Sequence, residues 1–115
     1  MNVQTLNTEL DVIVSKGDMV TAVTKFFADN AVTTDHDGTV VNSKTAHIAK
    51  MEGFLGAIAK VNGITHHASA VNGNVSFSEF TFDFDMKDGS KIYWHEILRR
   101  EWKDDKIVTE QYFKI

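Results

Sequence analysis

A chain of 115 residues is the common size of one domain, and it buries roughly two-thirds of its unfolded surface without needing a disulfide or metal staple. The 12 basic and 16 acidic residues are scattered singly to a net charge of −4, so no basic stripe serves a phosphate backbone or an anionic lipid surface, which excludes nucleic acid and membrane as partners. The absence of cysteine removes thiolate nucleophiles, disulfides and Cys-ligated metals, and the absence of proline removes proline-rich ligand motifs. The first eleven residues carry acids and amides where a signal peptide needs a basic start and an apolar core, so a cytoplasmic location is the expectation.

In chain order, Val3, Leu6, Leu10, Ile13 and Val14 recur at helical spacing and Gly17 follows as a C-cap. Asp18 caps a second helix whose apolar face is Met19, Ala22, Val23, Phe26 and Phe27, ending at Asp29-Asn30. A short hairpin follows, from Ala31 to His36, through Asp37-Gly38, to Thr39-Val40-Val41. Asn42 or Ser43 caps a third helix with a stripe of Ile48, Met51, Leu55 and Ile58, widened by Phe54 and ended by Asn62-Gly63. From Ile64 the period becomes two. Strands over 64–71 and 75–86 and a long hairpin over 90–115 are separated by Asn72-Gly73, Asp88-Gly89 and Lys103-Asp104-Asp105-Lys106 turns. Three helices followed by a strand meander predict a single α+β domain over residues 1–115, with an antiparallel sheet folded over the helices.

The sheet faces carry the functional signal. Phe80, Phe82 and Phe84 share one face of their strand, a half-buried pattern that must meet the helices. On the next strand neither set is purely apolar: Trp94, Glu96, Leu98, Arg100 and Trp102 alternate with Tyr93, His95, Ile97, Arg99 and Glu101. A sheet packed only on helices would show one wholly apolar set, so this hairpin reads as a pocket wall.

The segment from Gly17-Asp18 through Phe26–Asp35 (F-F-A-D-N-A-V-T-T-D), the capped third helix and the ending W-K-D-D-K-I-V-T-E-Q-Y-F resemble the nuclear transport factor 2-like superfamily, and within it the SnoaL-like proteins of polyketide cyclase and ketosteroid isomerase type. The resemblance implies a cone-shaped, cystatin-like fold in which a strongly curved antiparallel sheet encloses a pocket against the helices. It also implies a homodimer, no cofactor and a small hydrophobic molecule as the pocket's occupant. Asp35 falls on the position of the isomerases' general base, whereas the two oxyanion-stabilising positions fall near Leu10 and Leu98, neither of which donates a hydrogen bond. Steroid isomerisation by that route is therefore not expected, and the patterns of scytalone dehydratases and epoxide hydrolases are not found residue for residue.

In the register that the resemblance implies, Val108, Glu110 and Tyr112 join Trp94, Glu96, Leu98, Arg100 and Trp102 on the inner face. Asp35, Glu96, Arg100 and Glu110 are then the catalytic candidates, with Asp35 or Glu96 as base. His36, Phe54, His66, Phe82, Trp94, Trp102 and Tyr112 are the ligand-binding candidates. Arg100 and Glu110 also read as a purely structural cross-strand pair, and a one-residue slip at Lys103–Lys106 would turn Glu110 and Tyr112 outward. No metal is expected: His66 and His67 are adjacent on a strand and face opposite ways, and no H-x-H or H-x-x-x-H spacing occurs. A cofactor-independent isomerase, cyclase or dehydratase, and a non-catalytic binding or dimerisation module, are the two functions that fit.

Overall fold

The structure, a computed structural model, describes residues 2–115. Its elements are α1 (Val3–Ser15), α2 (Met19–Phe26), β1 (Phe27–Thr34), β2 (Val40–Val41), α3 (Lys44–Gly56), β3 (Ile58–Asn72), β4 (Val75–Met86), β5 (Lys91–Lys103) and β6 (Lys106–Lys114). Each helix opens on a side-chain cap. Asn2 accepts from the Thr5 amide, Asp18 from Thr21 and Ser43 from Ala46, which satisfies donors the first turn would otherwise leave unpaired. Among the described residues no helix is long and apolar enough to cross a membrane.

The architecture is α+β, three helices on one face of an open six-stranded sheet ordered β2-β1-β6-β5-β4-β3. The sheet is mixed where a wholly antiparallel one was expected: β1 runs parallel to β6, and all other neighbours are antiparallel. The parallel pair follows from connectivity, because β1 and its β2 hairpin precede α3 and reach the sheet from the side opposite the meander. Three boundaries also differ from the sequence expectation. Phe27 starts β1 rather than closing α2, and α3 stops at Gly56, so Ile58 belongs to a fifteen-residue β3 instead of the helical stripe. Gly53 and Gly56 are poor helix formers, and β-branched Ile58 and Val61 favour the strand, which decides the contest over this stretch.

The core lies between the helices and the inner sheet face. Leu6, Leu10 and Val14 of α1 and Ala22, Val23 and Phe26 of α2 meet Phe80, Phe82 and Phe84 of β4, Leu98 and Trp102 of β5 and Ile107 of β6. The phenylalanine stripe is core at its upper end and cavity wall at its lower end, where Phe82 and Phe84 face open space. The edge strand β3 is interrupted by register shifts at three places, a device that discourages edge-to-edge pairing.

One backbone irregularity governs the inner face. Glu101 pairs with Thr109 but Trp102 pairs with Ile107, so Val108 is an extra residue in β6. Ile107, not Val108 as expected, packs inward and is fully buried, and beyond the bulge Glu110 and Tyr112 face inward opposite Arg100 and Leu98. At the α1–α2 corner, Gly17 holds φ +80°, and a Cβ there would meet Ile64 Cδ1 at 3.6 Å, an ordinary contact. Gly17→Ala should therefore cost about 1 kcal/mol from backbone conformation alone, seen as a lower urea midpoint with unchanged slope. An unchanged midpoint would show that the corner does not hold this conformation in solution.

Candidate functional site

Two polar clusters border one cavity. The first is centred on Arg100, which is 1% exposed. Its Nε donates to Glu110 Oε2 at 3.0 Å, and its Nη1 donates to Asn7 Oδ1 and Asp11 Oδ1, both at 2.8 Å, and to Ser78 Oγ at 3.0 Å. Ser78 Oγ donates to Asp11 Oδ2, Ser76 Oγ donates to Asn7 Oδ1, and Trp102 Nε1 donates to Ser76 Oγ. Burial disfavours the guanidinium charge, but the carboxylates of Glu110 and Asp11 outweigh it and hold Arg100 above its ordinary pKa. This cluster is closed on itself.

The second cluster is not. Asp35, just past the end of β1, takes Lys50 Nζ on Oδ2 at 2.9 Å and the His36 backbone amide on Oδ1 at 2.8 Å. His36 Nδ1 sits 3.0 Å from Asp35 Oδ1 and 3.4 Å from Glu96 Oε2, yet neither approach has hydrogen-bond alignment. Glu96 Oε2 and His36 Nδ1 are buried polar atoms without a partner. Glu96 is 4% exposed; burial above all, and then the Asp35 charge, pushes its carboxyl up to about 7.

The cavity between helices and sheet has a volume of about 120 Å³ and is not fully enclosed. An enclosed cavity of ~150 Å³ admits benzene, so the space suits one small ring, with anything larger protruding through the mouth. Its walls are apolar, set by Leu10, Val23, Met51, Phe84 and Leu98. Phe54 stacks on Trp94 at 5.7 Å between centroids, and the His36 ring lies edge-on to Trp94 at 5.1 Å. Tyr112 Oη lies 3.5 Å from His47 Nε2. Burial, then the charge of Glu110 and a hydrogen bond from the phenol to it, raise Tyr112 well above its ordinary range, so it keeps its proton. Burial also lowers His47, which is therefore a neutral imidazole near pH 7, with an unpartnered Nδ1.

Of the residues singled out from sequence, Asp35, Glu96, Arg100, Glu110, Phe54, Phe82, Trp94 and Tyr112 line this cavity, and His36 stands beside it against Trp94 and Glu96. Two lie elsewhere. Trp102 is buried in the core with its indole N–H committed to Ser76, and His66 packs on Phe80 with Nε2 3.3 Å from Asp11, away from the cavity lining. His67 faces the other side of the sheet and contacts Thr81 and His95, as adjacent strand residues must. The sequence reading missed four residues. Asn7 and Asp11 stand one turn apart inside the apolar stripe of α1, and that interruption was the available signal. His47 and Lys50 lie on α3 at a three-residue step, and only tertiary packing shows that they meet Tyr112 and Asp35.

No protein-family model and no curated protein matches the sequence. Solved structures do. A SnoaL-like polyketide cyclase candidate from Mesorhizobium loti superposes with a TM-score of 0.89 at 22% identity, over 98% of this chain and 99% of that one. An NTF2-like protein of unknown function from Burkholderia pseudomallei gives 0.80 at 13% identity, over 97% and 89%. A protein of ketosteroid isomerase-like fold from Catenulispora acidiphila, solved in complex with trimethylamine, gives 0.70 at 14% identity, over 82% and 73%. The chain thus has the NTF2-like fold.

The two clusters predict opposite responses to substitution. Arg100→Met strands Asp11 and Glu110 in the interior and should cost about 3–5 kcal/mol in chemical denaturation; a loss near zero would show the cluster to be solvated. For Glu96 the sign reverses, because a carboxyl whose folded pKa is raised keeps its proton after the unfolded chain has released it. Its burden on stability grows from about pH 4.5 to about pH 7 and is then constant. Glu96→Gln should therefore be more stable than the parent at pH 8, by up to about 3 kcal/mol, with the advantage gone at pH 4. A difference independent of pH would contradict the buried, unpaired carboxylate.

Proposed function

From the SnoaL-like, NTF2-like fold and the cavity it encloses, we propose a pocket protein that moves a proton on a small uncharged carbonyl compound, as a cofactor-independent isomerase, cyclase or dehydratase. The observation that carries this reading is the Glu96 carboxylate, buried at an apolar cavity wall with Oε2 unpartnered. Asp35 is the weaker base candidate, since Lys50 and the His36 amide already occupy its oxygens; it holds Lys50 and His36 in place. Tyr112, protonated and on the same sheet face, donates to a substrate oxygen once its hydroxyl turns from Glu110. Glu96 pairs with Lys114 and Leu98 with Tyr112, so Glu96 and Tyr112 are diagonal neighbours on one face with backbones about 7–8 Å apart. A carbonyl and its α-carbon, with a contact at each end, span that gap. Glu96 takes the α-proton, the C–H electron pair passes to the carbonyl oxygen, Tyr112 donates to that oxygen, and protonated Glu96 returns the proton at carbon. The conventional oxyanion positions, Leu10 and Leu98, do no such work here.

Solvent deuterium exchange at the α-carbon, followed by NMR over a panel of small cyclic ketones, enones and hydroxyketones, detects this step whatever the final product. Glu96→Gln should lower exchange by about 10²–10⁴ and Tyr112→Phe by about 10²–10³, with Arg99→Gln on the outer face unchanged. Exchange on no member of the panel, or exchange unaffected by Glu96→Gln, overturns the reading.

A second reading is non-catalytic capture of a small amine. The Phe54–Trp94 stack beside Glu96 and Asp35 offers ring faces and carboxylates to a cation, and the Catenulispora neighbour is described with trimethylamine. Melting shifts with trimethylamine and no exchange with any carbonyl compound would favour it. We further propose a homodimer through the outer sheet face, where Phe77, Tyr93 and Phe113 are exposed and Ile97 pairs with Phe113 across strands. Sedimentation should give twice the chain mass, and Tyr93→Glu with Phe113→Glu should return it to one chain; a parent that sediments as a monomer refutes the dimer.

A further inference from the structure

We propose that Asp35, His36 and Glu96 form a binding site for a first-row divalent cation of the Zn²⁺ or Mn²⁺ type. The three residues are the one set among the described residues in which three ligand atoms lie within 4.8 Å of one another. Two edges of that triangle are 3.0 Å, from His36 Nδ1 to Asp35 Oδ1, and 3.4 Å, from His36 Nδ1 to Glu96 Oε2. Metal–ligand bonds of about 2.0–2.2 Å give polyhedron edges of about 3.0 Å when octahedral and about 3.4 Å when tetrahedral, so both separations are ligand-to-ligand distances. Hydrogen bonds do not explain the arrangement. His36 Nδ1 and Glu96 Oε2 approach each other without donor alignment, and both are buried without a partner.

The remaining surroundings agree. Lys50 occupies Oδ2 of Asp35, and Oδ1, which accepts the His36 amide at 2.8 Å, keeps a second lone pair on the side of the imidazole for the cation. The Trp94 ring at 5.1 Å restricts the His36 ring. One nitrogen and two carboxylate oxygens favour a borderline transition cation over Ca²⁺, which takes six to eight oxygens, and three protein ligands leave positions open for water or a ligand oxygen. The charge of Lys50 opposes the cation and weakens its binding. Sequence spacing concealed the site because the adjacent Asp35 and His36 meet their third partner sixty residues along the chain, across the sheet. A bound cation would hold the Glu96 lone pair and so silence it as a base. That consequence rests on the proton-transfer reading, whereas the binding itself does not.

Titration calorimetry of the metal-free protein with Zn²⁺ needs no substrate, so its outcome is independent of the activity. One equivalent should bind with a micromolar constant. His36→Asn and Glu96→Gln should each weaken it by about tenfold or more, and His67→Asn on the outer face should leave it unchanged. Because a variant can misfold, Mn²⁺ added to the parent protein supplies a second reading by NMR: the Trp94 indole N–H should broaden well ahead of that of Trp102. Absence of saturable Zn²⁺ binding up to about 1 mM, equal affinity in the His36 and Glu96 variants, or simultaneous broadening of both tryptophans overturns the site.

Discussion

The burial of Arg100 is the constraint on which the remaining geometry depends. A guanidinium removed from water is tolerable only if nearly every donor is matched, and here the matching groups come from three separate elements: Asn7 and Asp11 from α1, Ser78 from β4 and Glu110 from β6. The cluster therefore fixes the position and rotation of α1 over the sheet, because a turn of the helix by one residue would withdraw Asn7 and Asp11 together. Apolar packing by Leu6, Leu10 and Val14 supplies the burial energy but would tolerate such slippage far better. With α1 fixed, the cavity has a defined back wall.

The contrast between the two polar clusters gives the chemical interpretation its direction. Around Arg100 each carboxylate meets a cation or hydroxyl, and such saturation is the mark of structure. At Glu96, His36 and His47, buried polar atoms are left without partners on or beside the cavity. Leaving a polar group unpaired costs about 1–3 kcal/mol, which a fold under selection for stability alone would shed by changing the residue. Proton, amine and metal cation are three ways of answering the same surplus of lone pairs. Arg100 and Glu110 accordingly move from the catalytic candidates toward the structural reading, and the proton-transfer proposal rests on Glu96.

The period-two pattern from Val75 to Trp102 was legible because each strand there has one face on the helices and one on the outside, so alternation maps directly onto burial. The caps Asp18 and Ser43 were legible for a local reason, a short polar side chain before an apolar run. Where two periods fit the same residues, local pattern failed. Ile48, Met51, Leu55 and Ile58 continue a helical stripe, yet the chain leaves the helix at Gly56 to supply the long edge strand that β4 requires. The site was half legible. Glu96, Trp94 and Tyr112 follow from face alternation, whereas His47, Lys50 and the convergence of His36 on Glu96 depend on how α3 and the β1–β2 turn pack, which no spacing along the chain encodes.

The bulge at Val108 shows how much chemistry one backbone irregularity can decide. Without it, strict alternation from the buried Ile107 would place Thr109 and Gln111 inward and expel Glu110 and Tyr112 to the outer face. Arg100 would then lose its Nε partner, and the cavity would lose its one phenol. The extra residue restores the parity on which both clusters depend, and it sits two positions beyond the Lys103–Lys106 turn, where Asp104 and Asp105 already hold left-handed backbone. A bulge bends its strand and increases the local twist, so the ladder resumes beyond it with the opposite parity. The polar lining of the pocket is therefore set through register, by a residue that does not itself line the cavity.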